Sequence, residues 1–394
     1  MNIAILGKGT VGSGVDQIIS EQNTAFTNQL KVVSIFVRPE KVDGSPKLTA
    51  DYASILNNPD IDLIVEVLGG IEPAHTMIID ALKHGKSVVT ANKAVVARHI
   101  QEFTKIAAEN QVKFYFESSV GGGIPWIINL ERALRIDKID SIHGIFNGTS
   151  NFILDQMTKT GAKFDEVLKE AQDLGYAEAD PSADIDGYDI ENKLCISTDI
   201  AYDTIVEPGD HLLKFGIRNI THNDIQYFKE HGWIVKLLGR SFLKNNRYTF
   251  VIEPTLYSPG QIEAGVHNNY NYVGLRGDTI GKLSFNGQGA GMLPTAHALV
   301  QDILDVYLKN DHLDRKFNQK LELNNETKIM DYIVRTKADL NHYLPDYELK
   351  QDGEYWFVKQ INTKLIHETV QQIALTGDKP FLACINGGAE NDRS

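Results

Sequence analysis

The sequence predicts an α/β protein that begins with a doubly wound parallel sheet, in which helices cover both faces of the strands. Short apolar runs alternate with helical patterns through residues 1–125. The apolar runs are nearly continuous, as expected for strands that are buried on both faces. The length of 394 residues allows two or three domains of about 150 residues each.

The first domain is predicted to cover residues 1–125. Its strands are predicted at residues 2–6, 32–37, 63–67, 87–90 and 112–116. Helices are predicted at residues 11–19 and 73–84, and Gly85 ends the second of these.

The pattern changes at residues 121–125, a glycine-rich segment that predicts a flexible joint. Residues 126–287 are predicted to form an α+β domain. Strands are predicted at residues 139–146, 248–254 and 270–276, a turn-rich segment at 147–151, an acidic loop at 175–187, and helices from about 126 and at 152–157, 164–174 and 188–201. A helix at 294–307 could return to the first domain, which residues 288–310 would then complete.

A charged linker follows residue 310 and leads to a compact tail over residues 325–394. The tail is predicted to contain strands at 331–336, at either 348–354 or 355–360, and at 381–385, with a helix at 366–375.

Composition excludes several classes of protein. The net charge of −13 argues against a nucleic-acid or anionic-membrane surface, because both need a basic face. No apolar run of about 18 residues exists to span a membrane. The two cysteines, Cys195 and Cys384, lack zinc-ligand spacing and favour a reducing compartment. With no predicted signal peptide, we expect a cytoplasmic protein.

A glycine motif of the form GxGxxG follows the first strand and opens the first helix. Its first glycine permits a tight turn, its second lets a pyrophosphate approach the backbone, and its third allows the helix to pack closely on the strand. The helix N-terminus then offers free N–H groups to the anion. The motif predicts a Rossmann-type dinucleotide site formed by Gly7, Gly9, Thr10, Val11 and Gly12.

The end of the second strand bears on the choice of cofactor. Arg38 follows that strand, where an NAD enzyme usually places an acid for the ribose 2′-hydroxyl. An arginine there accommodates a 2′-phosphate, so the sequence favours NADPH, with NADH possible. The alternative is that Arg38 is one more solvated surface charge.

Two segments carry candidate catalytic residues. One predicted strand delivers Asn92 and Lys93 to the carboxyl edge of the sheet, where open parallel sheets bind ligands. In an acid-rich segment, Asp189 and Lys193 stand four residues apart on one helix face. Such a lysine can donate a proton to a carbonyl oxygen as hydride arrives, while neighbouring acids bind a substrate ammonium. The alternatives are a solvated lysine at a helix start and an exposed salt bridge.

A third segment, residues 117–125, contains glycines that leave backbone carbonyls unshielded. Such carbonyls could hold a hard monovalent cation. An interdomain hinge explains the same glycines equally well.

Taken together, these motifs resemble those of homoserine dehydrogenase, an oxidoreductase of the aspartate pathway. The similarity covers roughly the first 310 residues in the order of that family. It is carried by residues 7–12, 90–94, 117–125, 144–154, 175–193, 289–291 and 294–296, among which 144–154 and 175–193 are far more specific than the glycine motif.

The resemblance implies NAD(P)H-dependent interconversion of L-aspartate 4-semialdehyde and L-homoserine (EC 1.1.1.3), a step in threonine, methionine and isoleucine biosynthesis. It implies that Lys193 is the proton donor and Lys93 a second catalytic lysine near the nicotinamide. It also implies that Glu178 and Asp189 bind the amino acid and that Asp184 supports the site. Thr90, Lys93, Gly175 and Gly289 would lie against the cofactor.

The resemblance further implies a sodium ion held mainly by backbone carbonyls at Glu117, Val120, Gly122 and Ile124. It also implies that residues 126–287 are the substrate-binding and dimerisation domain, through which a homodimer forms. Long members of the family end in a threonine-binding ACT domain. The tail of this chain is short and lacks the usual Asp-x-Pro-Gly start. We therefore expect a degenerate ACT-like tail.

Two other functions compete with this one. A different amino-acid or sugar dehydrogenase could share the first domain, although a sugar has no ammonium group for the acid-rich segment to bind. A non-catalytic dinucleotide sensor could bind an effector in the tail, but it would not need the polar residues of the chemistry.

Overall fold

The computed structural model describes residues 1–386. Residues 387–394 of the predicted tail lie outside the described residues. The chain forms one six-stranded sheet and one eleven-stranded sheet, with helices against both. Short 3-10 turns occur at Thr27–Gln29, Pro39–Lys41, Glu117–Ser119, Glu263–Gly265 and Asn325–Thr327.

The first sheet is wholly parallel and has the strand order β3-β2-β1-β4-β5-β6. Its strands are β1 (Asn2–Leu6), β2 (Lys31–Phe36), β3 (Leu48–Thr49), β4 (Leu63–Glu66), β5 (Ser87–Thr90) and β6 (Phe114–Tyr115). Four helices accompany them: α1 (Thr10–Glu21), α2 (Tyr52–Leu56), α3 (Ala74–Lys83) and α4 (Lys93–Glu109). The doubly wound parallel sheet is confirmed, and the order reverses beside β1, where such sheets bind ligands.

The middle of the chain supplies further helices and most of the second sheet. Its helices are α5 (Trp126–Leu134), α6 (Gly148–Thr160), α7 (Phe164–Asp173), α8 (Ser182–Ile185), α9 (Tyr188–Tyr202), α10 (His222–Glu230) and α11 (Met292–Leu308). Its strands are β7 (Ile139–Ile145), β8 (Leu213–Lys214), β9 (Ile234–Lys244), β10 (Arg247–Tyr257), β11 (Tyr270–Gly277) and β12 (Gly281–Gln288).

The predicted turn at residues 147–151 is wrong, because these residues begin α6. The side-chain oxygen of Asn147 accepts a hydrogen bond from the Ser150 N–H at 2.7 Å, which caps the helix. The sequence also gave no sign of β9. That strand carries Lys236 and Arg240, both buried, where a strand of this sheet would be expected to be apolar.

Helix α11 returns to the first sheet, as expected. Leu299 and Ile303 of α11 share a hydrophobic core with Ile3 and Ile5 of β1. At Gly14 of α1, a side chain would lie 3.0 Å from atoms of α11, so the two helices touch through this glycine.

The tail adds strands to the second sheet. It contains β13 (Glu322–Leu323), β14 (Ile329–Arg335), α12 (Leu340–Tyr343), β15 (Leu349–Asp352), β16 (Tyr355–Asn362), α13 (Thr363–Leu375) and β17 (Phe381–Ile385). Both alternative strands of the prediction form, as the hairpin of β15 and β16. Strand β17 pairs in parallel with β10, so the main path of the sheet runs β12-β11-β7-β9-β10-β17-β14-β16-β15. Strands β8 and β13 pair with β10 beside this path.

A buried charged cluster joins the tail to the middle of the chain. The carboxylate of Glu253 in β10 accepts a hydrogen bond from Arg240 of β9 and lies 2.6 Å from Nε2 of His367 in α13. The Tyr332 hydroxyl donates to the same carboxylate at 3.3 Å. A buried carboxylate needs several partners at once, so its partners hold α13 and β14 against β9 and β10.

Candidate functional site

One carboxylate joins the two candidate catalytic lysines. The Nζ atom of Lys193 donates to Oδ2 of Asp189 at 2.7 Å, and Nζ of Lys93 lies 2.7 Å from Oδ1 of the same group. The Lys193 and Asp189 side chains are only 9% and 7% exposed, whereas that of Lys93 is 42% exposed. The pair at i and i+4 is thus not a surface salt bridge but the buried centre of a three-charge cluster.

The N-terminus of α6 holds this cluster in place. The Nδ2 group of Asn147 donates to Asp189 at 2.8 Å and to Asp184 at 2.6 Å. Because the Asn147 oxygen also caps α6, its side chain has a fixed orientation. The preceding carbonyl, of Phe146, accepts from Nζ of Lys193 at 2.7 Å.

The surroundings of the two lysines shift their pKa values in opposite directions. Burial lowers the pKa of Lys193, and the nearby Lys93 ammonium lowers it further, although Asp189 acts in the opposite direction. The pKa of Lys93 is raised, chiefly by Asp189. Burial alone would raise the pKa of Asp189, but Lys193 and Lys93 lower it below its usual range. Lys193 therefore gives up its proton more readily than Lys93, whose charged form is favoured.

The carboxyl ends of β4 and β5 position Lys93. The Thr90 hydroxyl donates to the buried carboxylate of Glu66 at 2.6 Å and accepts from the Asn92 N–H at 2.9 Å. The Asn92 oxygen accepts from the Val95 N–H at 3.3 Å, so α4 begins at Lys93. Thr90, predicted to contact the cofactor, thus has a hydroxyl that anchors the start of this helix.

Asn271 and Gly289 are further neighbours of the lysine cluster. The Nδ2 group of Asn271 donates at 2.8 Å to the Phe146 carbonyl that also accepts from Lys193. A Cβ atom at Gly289 would lie 2.0 Å from Cγ of Asn271, so only glycine allows this contact. Within residues 1–386, the buried Oδ1 atom of Asn271 has no hydrogen-bond partner. The sequence analysis missed Asn271, because the contact joins segments that no motif links.

The glycine motif has the geometry of an anion site. Gly7 has φ +112° at the end of β1, and a Cβ atom at Gly12 would lie 1.9 Å from the Gly7 carbonyl oxygen. Gly9 caps α1 without a side chain, and no atom lies within 4 Å of where its Cβ would be. The exposed Thr10 and half-buried Val11 open the helix. The start of α1 is therefore unobstructed beside Gly9, as a pyrophosphate bound by its N–H groups would need.

Other predicted site residues lie outside the charge cluster. Arg38 follows β2 with its side chain 74% exposed and 3.4 Å from Glu40. Gly175, with φ +75°, and Glu178 are both exposed. Among residues 1–386 the Glu178 carboxylate has no hydrogen-bond or ion-pair partner, but its negative charge contributes to raising the pKa of Lys93, after Asp189 and Asp184. Burial raises the pKa of Asp184.

The predicted joint at residues 121–125 is packed rather than flexible. Gly122 lies against the backbone of Gly289, where a Cβ atom would be 2.5 Å from its carbonyl carbon. Val120 and Ile124 are buried. The Glu117 carboxylate accepts from the N–H groups of residues 127 and 128 at the start of α5, at 2.8 and 2.7 Å. Burial raises the pKa of Glu117 to about 7.

Comparison with known proteins agrees with this geometry. Residues 7–117 match the family model "Homoserine dehydrogenase, NAD binding domain", and residues 125–304 match the model "Homoserine dehydrogenase". The homoserine dehydrogenase of Synechocystis is 41% identical over 78% of this chain and 73% of its own length. The chain belongs to the homoserine dehydrogenase family. It is an oxidoreductase that acts on a CH–OH group, interconverting L-aspartate 4-semialdehyde and L-homoserine in amino-acid biosynthesis.

Solved homoserine dehydrogenases share the fold. The structure from Thiobacillus denitrificans has a TM-score of 0.86 and 32% identity and covers 98% of both chains, so the likeness includes the tail. A hyperthermophilic archaeal homoserine dehydrogenase mutant, solved in complex with NADPH, has a TM-score of 0.67 and 29% identity over 79% of this chain and 99% of its own. Within residues 1–386, none of the helices combines the length and apolarity needed to cross a membrane.

Replacing Gly289 by alanine tests the packing around Lys193. The new Cβ would displace Asn271 and, through the shared Phe146 carbonyl, Lys193. We expect kcat for homoserine oxidation to fall on the order of tenfold or more. Gly260→Ala is the matched control, since no atom lies within 4 Å of where its Cβ would be. Equal kcat in the two variants would contradict the packing argument.

Proposed function

We propose that Lys193 donates the proton to the aldehyde oxygen of L-aspartate 4-semialdehyde and accepts it back when L-homoserine is oxidised. The observation that carries this proposal is the Asp189 carboxylate bonded to both Lys193 and Lys93. This arrangement keeps the Lys193 ammonium oriented in a buried site, and its lowered pKa eases proton transfer.

The residues around Lys193 favour reduction of a carbonyl group. When bound, the nicotinamide cofactor supplies the hydride. Negative charge then grows on the substrate oxygen, and the Lys193 ammonium stabilises it before giving up a proton. Lys93 keeps a second positive charge beside the first, which lowers the cost of that negative charge. The Phe146 carbonyl and Asp189 hold Nζ of Lys193 in place during both steps.

The acidic residues suit an amino-acid substrate. We propose that Glu178 and Asp189 bind the substrate ammonium and that Asp184 supports the site through Asn147. Glu178 is exposed, so its carboxylate is accessible to a ligand that enters from solvent. A sugar substrate has no ammonium group to satisfy these charges.

The first domain suits NADPH. The glycine motif and the open start of α1 would hold the pyrophosphate, with Gly175 and Gly289 against the cofactor. Arg38 is the cation available for a 2′-phosphate at the end of β2, with its side chain mostly exposed. NADH would be accepted less well, because it lacks the phosphate that Arg38 binds.

We also propose that residues 117–124 hold a sodium ion. The Glu117 carboxylate is bonded to the start of α5, so backbone carbonyls of Glu117, Val120, Gly122 and Ile124 would be the main ligands. Oxygen ligands of this kind suit a hard cation.

We also propose a homodimer that forms through residues 126–287, because apolar side chains are exposed on their surface. Ile136 and Ile280 are 88% and 43% exposed beside a cavity of about 480 Å³ lined by both. Strand β12 ends the second sheet at this side. A second copy of the chain would cover these apolar side chains. The free, buried cysteines Cys195 and Cys384 fit a reducing compartment such as the cytoplasm.

Replacing Lys193 by alanine tests the proton donor. With L-homoserine and NADP⁺, we expect kcat to fall by a factor on the order of 10² or more, measured as NADPH formation. Lys169→Ala removes an exposed lysine that also forms an i,i+4 pair, with Asp173, and should leave kcat unchanged. If Lys193→Ala folds normally and keeps near-normal kcat, the assigned role is wrong.

The pH profile tests the coupling of the lysines. For aldehyde reduction Lys193 must be protonated, so activity falls as pH rises through its lowered pKa. Lys93→Met removes the neighbouring positive charge, which raises the pKa of Lys193 and moves the alkaline limb of kcat to higher pH. Lys359→Met, at an exposed ion pair, is the control. An unchanged or downward-shifted limb would exclude the coupling.

Replacing Arg38 by serine tests cofactor choice. We expect kcat/KM for NADPH to fall about tenfold or more through loss of a charged hydrogen bond, while the value for NADH stays the same. Arg247→Ser removes another half-exposed arginine, paired with Glu322, and should change neither value. An equal loss with both cofactors would refute the 2′-phosphate role.

A further inference from the structure

A cluster of imidazole and carboxylate groups lies on the surface between α3 and α4, separate from the lysine cluster. Nε2 of His75 is 2.9 Å from Oε2 of Glu102, and Nδ1 of His99 is 3.4 Å from the same oxygen. One ligand atom from each of the three residues lies within 4.8 Å of the other two. Their side chains are 21%, 28% and 45% exposed, so the cluster is accessible from solvent.

These spacings suit a tetrahedral metal ion. Zinc binds histidine nitrogen and carboxylate oxygen at about 2.0–2.2 Å, which places neighbouring ligands about 3.3–3.5 Å apart. The separation at His99, 3.4 Å, lies in that range, and the separation at His75, 2.9 Å, is shorter. The nitrogens of the two rings lie within 4.8 Å of each other, so the side chains would have to move to complete the tetrahedron. Water would supply a fourth ligand from the exposed side.

The second ring nitrogen of His75 has the partner that a metal ligand needs. Its Nδ1 atom is 3.1 Å from Oε1 of Glu72. Glu72 is itself oriented by the Thr76 hydroxyl, which donates to its other oxygen at 3.0 Å. A metal-bound histidine usually donates its remaining N–H to a carboxylate, which fixes the tautomer that presents Nε2 to the metal.

A bound metal ion would also suit the close approach of the two rings. The rings of His75 and His99 have centroids only 4.0 Å apart, so two imidazolium ions would repel each other there. A doubly charged metal ion would let both rings bind as neutral ligands. The carboxylates of Glu102 and Glu72 would balance its charge. Imidazole and carboxylate ligands together suit zinc.

We propose that His75, His99 and Glu102 bind one zinc ion, with Glu72 as the outer partner of His75. The ion would link α3 to α4, the helix that starts at Lys93. The site would therefore add stability to the part of the first domain that carries one of the two lysines.

Zinc binding to the purified, chelator-treated full chain tests this proposal. We expect calorimetric titration with ZnCl₂ to show one equivalent that disappears in the double variant His75→Gln/His99→Gln. Glu72→Gln should weaken this equivalent by about 10- to 100-fold while leaving its stoichiometry unchanged. Zinc should raise the melting temperature of the wild type and not that of the double variant.

His84→Gln is the matched control, because this exposed histidine ends α3 without contacting the cluster. It should bind zinc like the wild type. Asp302, Asp305 and His312 form another group with metal-ligand spacing, so the decisive quantity is the equivalent lost in the double variant. The proposal is overturned if wild type and double variant bind the same number of zinc ions, or if micromolar zinc binds to neither.

Discussion

The structure depends on one carboxylate placed between two ammonium groups. Asp189 bonds to Lys193 and to Lys93, which come from different parts of the chain. Without it, the buried ammonium group of Lys193 would lie near that of Lys93 with no negative charge between them. Removing one member of such a buried set leaves a charge without compensation, so the three residues act as a unit. This unit also joins the parallel sheet to the middle of the chain, because Lys93 begins α4 and the other two lie on α9.

Backbone groups and amide side chains give the cluster its geometry. The Phe146 carbonyl is shared by Lys193 and Asn271, and Asn147 bonds two carboxylates while capping α6. Such connections fix the Lys193 ammonium group in direction as well as position, as the proposed proton donor requires. Close backbone contacts at Gly122 and Gly289 bring the two parts of the chain together beside this cluster.

A second buried charge set serves a structural purpose. Glu253 bonds Arg240, Tyr332 and His367, and thereby ties the tail to strands β9 and β10. The likeness to the Thiobacillus denitrificans enzyme extends over this tail. Because β17 pairs with β10 and β14 with β17, the tail belongs to the same sheet as the middle of the chain.

The sequence alone determined the parallel sheet, since apolar runs and a glycine motif are local patterns that a strand-turn-helix unit imposes on neighbouring residues. It also identified residues that could carry out the chemistry. Asp189 and Lys193 stand four residues apart, and residues at that spacing share a helix face. Tertiary structure decided that this pair is buried, that Lys93 joins it, and that Asn271 and Gly289 adjoin it. It also decided that β9 is a strand, because β9 pairs with β7 and β10 and its buried Arg240 meets Glu253 of β10. These contacts join residues far apart in the chain, and no local pattern encodes burial or a partner that only folding brings near.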